Sequence, residues 1–254
     1  MKKIPLLLSV AAVIGSAGVS IAAGDQKKPL QQHWSFDGVF GKVDKQSAQR
    51  GLQAYKEVCS ACHGISRVAF RTLSDIGFSD AEIKALAASY TIKDGPGDDG
   101  EMFERAGKPS DYFPSPYANE NAARAAQNGA YPPDLSLIVK ARPDGANYLY
   151  SLLIGYGQTA PEHHPVPEGM HYNPYFPGGN IAMPAPMSDD QVSFEDGTQA
   201  SVDQMARDVT NFLQWAAEPE METRKQMGIK VLIYLAIMTI FLYIAKRSIW
   251  RRIH

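Results

Sequence analysis

A mainly α-helical domain with long loop insertions, followed by one C-terminal transmembrane helix, is the fold class that this 254-residue sequence predicts. Three observations predict it. Capped or periodic helical segments recur between residues 46 and 217, and no alternating strand series accompanies them. Thirteen of the 17 prolines lie between Pro109 and Pro186, a stretch that cannot be regular helix or central strand and reads as long, ordered loop. Residues 227–245 are apolar all round a helix.

The elements follow in chain order. Residues 1–23 read as a cleaved signal peptide. Lys2 and Lys3 precede an apolar stretch from Ile4 to Ala12, and Ser20 to Ala23 supply small residues for cleavage. The alternative is an N-terminal anchor, for which the apolar core is short. The scarcity of Arg favours bacterial export over a mitochondrial transit peptide. Residues 46–58 form a helix that leads straight into the two cysteines. Ser79-Asp80-Ala81-Glu82 is a capping box that opens a helix through about Tyr90. Asn119 to Asn128 is Ala-rich, with Gly129 as its stop. Residues 144–156 suit a buried helix, and Asp196-Gly197 suggests a small hairpin over Val192 to Gln199. Ser201-Val202-Asp203-Gln204 is a second capping box. Its helix puts Val202, Met205, Val209, Phe212 and Ala216 on one face, and Pro219 ends it.

The 19 residues 227–245 hold one charge, Lys230, placed where it can snorkel outward. At ~1.5 Å per residue they span about 28 Å, the thickness of a bilayer's hydrocarbon core. A buried core helix is the competing reading. Lys246, Arg247, Arg251 and Arg252 follow the span and place the C-terminus in the cytoplasm. The expected organisation is a signal peptide over 1–23, an external domain over 24–222, an anchor over 223–249 and a tail over 250–254. That makes a single-pass protein of the bacterial inner membrane, with its domain in the periplasm.

Formal net charge is −2, and its distribution carries more information than its value. Residues 1–23 contribute +2, residues 24–222 contribute −11 and residues 223–254 contribute +7. Such a body argues against a nucleic-acid partner and suits a basic one. Asp94, Asp98, Asp99, Glu101 and Glu104 form one acidic group. Asp189, Asp190, Glu195, Asp196, Asp203 and Asp208 form another.

The chain's two cysteines are too few for a disulfide scaffold, and both fall in Cys59-Ser60-Ala61-Cys62-His63. This Cys-x-x-Cys-His spacing is the attachment signature of haem c. The two thiols reach the two vinyl groups of one porphyrin, and the adjacent imidazole swings under the iron. A thioredoxin-type redox pair needs no His and sits beside a βαβ pattern, which is missing. Zinc needs two further ligands at matching spacing, and no second cysteine pair exists. A six-coordinate iron takes Met or His on its other side. Met183, in a loop stiffened by Pro184 and Pro186, is the first candidate and Met187 the second; His163 and His164 remain possible. Met205 reads as core, Met102 lies in the acidic run and Met221 lies beside the membrane.

The segments HWSFDGVFGKVDKQSAQRGLQAYKEVCSACHG, NGAYPPDLSLIVKARPDG, YFPGGNIAMPAPM and DVTNFLQWAAEPEMETRKQMG resemble the cytochrome c1 family. The resemblance implies a cytochrome c-type haem domain within the helical fold. It carries Cys59 and Cys62 onto the thioether positions, His63 onto the proximal ligand and Met183 onto the distal ligand. Arg142 matches an arginine near the haem propionates, and Pro133 and Tyr148 match pocket-lining positions. It implies one covalent haem c in a subunit of the quinol–cytochrome c oxidoreductase complex, not an enzyme on its own. Cytochrome b and the Rieske iron–sulfur protein would be its neighbours, and a cytochrome c, expected to be basic, its electron acceptor. A membrane-anchored shuttle to another oxidase, and a haem enzyme or gas sensor with an open sixth site, are the alternatives.

Overall fold

The computed structural model describes residues 26–252, so the expected signal peptide lies outside the described residues. Seven α-helices follow in order: α1 Lys45–Ala54, α2 Asp80–Ala88, α3 Glu120–Ala126, α4 Ile138–Ala141, α5 Gly145–Ile154, α6 Val202–Ala217 and α7 Met221–Trp250. A 3-10 segment covers Phe70–Ile76. Two short antiparallel pairs are added, β1 Thr91–Asp94 with β2 Phe103–Ala106 and β3 His171–Tyr172 with β4 Asn180–Ile181.

The crossing of α1 over α6 organises the domain. Gly51 makes it possible: a Cβ there would lie 2.1 Å from the Asp208 carbonyl oxygen and 2.7 Å from Phe212 Cβ. Removing the side chain lets the two backbones approach. Leu52, Tyr55, Met205, Val209, Phe212 and Leu213 are buried around the crossing. Phe113 and Phe70 extend that core, their rings 4.3 Å apart. The face expected of α6 is the face that packs: Met205, Val209 and Phe212 are buried, and Val202 and Ala216 lie against the core. At the same crossing Asp208, 0% exposed, receives Arg50 Nε and Nη2 at 2.8 and 3.0 Å.

Local capping explains where the helices start. Asp44 caps α1 by accepting from Gln46 N and Ser47 N. The Ser79 box is complete: Ser79 N donates to Glu82 Oε2 at 2.7 Å, and Glu82 N donates to Ser79 Oγ at 3.3 Å. The Ser201 box is half made. Ser201 Oγ accepts from Gln204 N, but the Gln204 amide turns inward to Asp208 Oδ2 at 3.0 Å. By holding the Nε2 donor, the buried carboxylate draws away the side chain whose Oε1 would accept from Ser201 N.

Two local expectations fail. Val192 to Gln199 is a chain of turns, not a hairpin. Val192 and Phe194 are drawn into the core, Ser193 O accepts from Gln53 Nε2 at 2.9 Å and Asp196 pairs with Arg50 at 2.8 Å. The Gln53 side chain therefore takes a backbone carbonyl that strand pairing would use, and Arg50 holds the turn through the Asp196 carboxylate. The β1–β2 pair, in contrast, lies where the sequence read an acidic loop. Gly95, Gly97 and Gly100 supply its turn, and Arg105 ion-pairs with Asp94 and Asp111 across its base.

The 30-residue α7 is about 45 Å long. Its first turns belong to the domain. Met221 is buried in the core rather than lying free beside the membrane, and Glu222 accepts from Val43 N at 3.1 Å. Beyond them Val231 to Ile244 lie bare, and none of the most apolar window, with a mean hydropathy of 2.2, is buried. A core helix would be covered, so this helix is a membrane anchor.

Candidate cofactor site

The carboxyl end of α1 widens into one π turn over Tyr55–Cys59, closed by Ser60 N donating to Tyr55 O at 2.8 Å. Cys62 N and His63 N then fold back on Cys59 O at 3.1 and 2.9 Å. Cys59, Cys62 and His63 thus share one tight turn. Tyr55 braces it from the core, its hydroxyl donating to His63 O at 2.8 Å. Cys59 and Cys62 are not bonded to each other. Burial pushes the Cys59 thiol up to about 12, so it stays protonated.

His63 Nδ1 lies 2.8 Å from Pro133 O. A carbonyl only accepts, so Nδ1 carries the proton and Nε2 keeps its lone pair. Burial holds the imidazole pKa below its ordinary value, which keeps the ring neutral. A neutral ring with one free nitrogen beside two unpaired thiols is the donor set covalent haem requires. The residues present fit that group. Among the described residues no cluster of three His, Cys, Asp or Glu side chains gathers, as zinc would demand.

Residues 133–136 clamp the turn. Leu135 N donates to Gly64 O at 2.8 Å, and Ser66 N and Oγ donate to Asp134 Oδ2 at 2.8 and 2.7 Å. Ser136 N donates to Asp134 Oδ1 at 2.8 Å, and Ser136 Oγ accepts from Arg67 N at 3.1 Å. Burial would raise the Asp134 pKa, but the bonds from Ser136 and Ser66 outweigh it and hold it below the ordinary value. A depressed carboxylate stabilises the fold above its unfolded pKa, and that stability is lost as pH falls through the folded value. Asp134→Asn is therefore expected to flatten the loss of stability below about pH 4. Urea midpoints of the haem-loaded protein across the acid range check this, and an unchanged slope contradicts it.

Met183 stands in a second setting. It is half-buried and packs on a cluster of Tyr148, Leu152 and Ile181, while its carbonyl accepts from Tyr156 Oη at 3.1 Å. The buried Asn173 fixes this loop to α5: its Nδ2 donates to Leu152 O at 2.8 Å and its Oδ1 accepts from Tyr175 N at 3.1 Å. Gly155 leaves room for it, since a Cβ there would lie 2.7 Å from Asn173 Oδ1. The helix α5 borders both settings. Leu149 and Leu153 join the core that Cys59 abuts, and Tyr148 and Leu152 join the Met183 cluster.

The other candidates are placed differently. Met187 is 8% exposed and Met205 0%, both in the main core. His163 is exposed, while His164 Nε2 lies 3.0 Å from Asn180 Oδ1 and its ring meets Tyr172 edge-on. Arg142 is exposed at the end of α4, its Nη1 donating to Ala141 O at 3.2 Å, and its positive charge partly offsets the burial that pushes the Tyr148 phenol upward. Pro133 contributes its carbonyl to His63. Asp134, Asn173 and Gly51 were not legible as supporting residues; each looks like an ordinary loop or helix residue until its partner is known.

The acidic groups also need correcting. Asp208 is buried, Asp196 pairs with Arg50, and Asp203 pairs with Arg207 while accepting from Tyr150 Oη. Asp94 is held by Arg105. Asp98, Asp99, Glu101, Glu104, Asp189, Asp190 and Glu195 remain exposed.

A haem-binding turn of this kind, on a helical domain that continues into a bare apolar helix, defines a membrane-anchored c-type haem protein. The family model described as Cytochrome C1 family matches residues 34–253. The chain belongs to the cytochrome c1 family, electron carriers with covalently attached haem c. It is 46% identical over 261 residues to "Cytochrome c1" of Rhodospirillum rubrum, covering 96% of both chains. It is 50% identical over 217 residues to "Cytochrome c1 1, heme protein, mitochondrial" of Arabidopsis thaliana, covering 85% of this chain and 70% of that one. Against "Cytochrome b/c1" of Bradyrhizobium diazoefficiens it is 46% identical over 272 residues, and spans 99% of itself but 40% of that protein.

Proposed function

We propose that this chain is the haem-bearing one-electron carrier of a quinol–cytochrome c oxidoreductase complex, taking electrons from a Rieske iron–sulfur protein and passing them to a cytochrome c. The observation that carries this reading is the Cys59–Cys62–His63 turn with Nδ1 of His63 committed to Pro133 O. When bound, haem c supplies a one-electron iron couple. The chain's own residues do the rest. Cys59 and Cys62 would hold the group through thioethers, and His63 would offer Nε2 to its iron. Met183 offers a neutral thioether, which favours the reduced state. Tyr148, Leu152 and Ile181 exclude water beside it, and Arg142 offsets propionate charge. No substrate is transformed on this chain, so by itself it is not an enzyme.

The relative named "Cytochrome b/c1" and the Candida albicans relative named "Cytochrome b-c1 complex catalytic subunit" support a cytochrome b neighbour. The basic tail after the anchor supports a cytoplasmic C-terminus and a periplasmic haem domain. The division into a signal peptide over 1–23, haem domain over 24–222, anchor over 223–249 and tail over 250–254 belongs to the same proposal. Detergent extraction with haem staining tests it. Co-elution of a b-type cytochrome and a Rieske protein is expected; elution alone contradicts the complex and leaves a solitary shuttle.

The exposed acidic residues give the acceptor encounter its expected character. Reduction of a basic cytochrome c is expected to slow at least about tenfold between low and physiological ionic strength. Stopped-flow rates that do not change with salt contradict electrostatic steering.

A further inference from the structure

The loop from Ser35 to Lys42 is built as a rigid unit. Lys42 N donates to Ser35 O at 2.9 Å, and Asp37 N donates to Trp34 O at 3.0 Å. Gly38 sits at φ +70°, and a Cβ at Gly41 would lie 2.0 Å from Asp37 O, so the turn closes without spare room. Its inner side is pinned. Phe36 is buried and stacks on Trp34 at 5.4 Å, while the Trp34 indole donates to Asn147 Oδ1 at 2.8 Å.

Its outer tip is the opposite. Val39 is 61% exposed; Phe40, at 82%, is more exposed than any large hydrophobic side chain of α7, where Leu232 reaches 68%. Nothing in the domain explains a rigid loop that holds a phenyl ring in water.

The loop is tied to the foot of the anchor. Lys225 Nζ donates to Phe36 O at 2.6 Å and to Gly41 O at 3.2 Å. Just after the loop, Val43 N donates to Glu222. Lys225 lies two residues before the apolar span that begins at Met227, a rise of about 3 Å. The headgroup layer on each side of a bilayer is roughly 5–8 Å deep. The carbonyl beside Phe40 therefore lies within one lysine side chain's reach of the headgroup level, where aromatic side chains are favoured.

We propose that the Val39–Phe40 tip is a second membrane contact, seated at the headgroup–acyl boundary beside α7. A lone helix leaves the domain free to tilt on its stalk. A second, rigid contact fixes how the domain stands over the bilayer, and with it the height of the Cys59–His63 turn. This rests on α7 spanning the membrane.

The test uses the full haem-loaded chain in its native membrane. p-Benzoylphenylalanine is placed at Phe40, and in a separate variant at Tyr234 within the anchor. After irradiation, mass spectrometry of the peptide carrying the probe reads what it captured. Phospholipid adducts at both positions are the expected result. Adducts at Tyr234 with protein, or nothing, captured at Phe40 overturn the loop contact while leaving the anchor intact. No lipid adduct at Tyr234 overturns the anchor and the loop contact with it. Haem content of each variant confirms folding, and the exposure of Phe40 makes the substitution mild.

Discussion

Asp208→Ala is expected to destabilise the haem domain by about 3–5 kcal/mol, because it leaves the Arg50 guanidinium in a half-buried crossing without its main partner. Three donors converge on that carboxylate: Arg50 Nε, Arg50 Nη2 and Gln204 Nε2. Arg50 keeps only Asp196, which is 45% exposed, and surface pairing of that kind is worth roughly 0–1 kcal/mol. Replacing both partners tests the cause. Arg50→Met with Asp208→Leu removes both charges, and such swaps are often neutral. Denaturant unfolding of the haem-loaded variants is expected to show a large loss for the single change and recovery of most of it in the double. Equal losses in both would mean that packing volume, not the stranded charge, sets the effect.

Gly51→Ala should be the second large effect, and it sets two terms of opposite sign against each other. Alanine inside a helix gains roughly 1 kcal/mol over glycine. Here its Cβ would meet the α6 backbone at 2.1 and 2.6 Å, a contact that no side-chain rotation relieves. Overpacking of that severity costs about 3 kcal/mol or more. The net expectation is a loss of about 2 kcal/mol, with the largest perturbation on the Phe212 side of the crossing. A variant as stable as the parent would show that α1 and α6 can slide apart at no cost.

How much of this was legible in the sequence varies by element, for physical reasons. Local chemistry read correctly. The Ser79 capping box marks its helix, and the five apolar positions expected of α6 all meet the core, where Ala206, Leu213, Trp215 and Ala217 join them. Patterns that a competing side chain overrides did not. Ser201 looks like a capping box, yet its Gln204 is claimed by Asp208. Asp196-Gly197 looks like a hairpin turn, yet Arg50 claims Asp196. Each competing partner lies within α6 or on α1, about 150 residues away in the second case.

The cofactor site divides in the same way. Cys59, Cys62 and His63 are contiguous, so their spacing alone carries the chemistry. Met183 needed the family resemblance, because position left Met187, His163 and His164 in contention. In the fold Met187 is buried in the core, and His164 Nε2 lies 3.0 Å from Asn180 Oδ1. Asp134 and Asn173 had no sequence signal of their own. A loop Asp and a loop Asn are common turn residues, and only their bonds to Ser66 and Leu152 show what they hold.

The proposed ligation of one haem c by both His63 and Met183 is tested most directly by the optical spectrum of the oxidised holoprotein. A weak far-red sulfur-to-iron band is expected in the parent and in Met187→Leu. It should vanish in Met183→Leu, whose reduced form should bind carbon monoxide readily. A far-red band that survives Met183→Leu, or that disappears in Met187→Leu instead, would contradict the assignment.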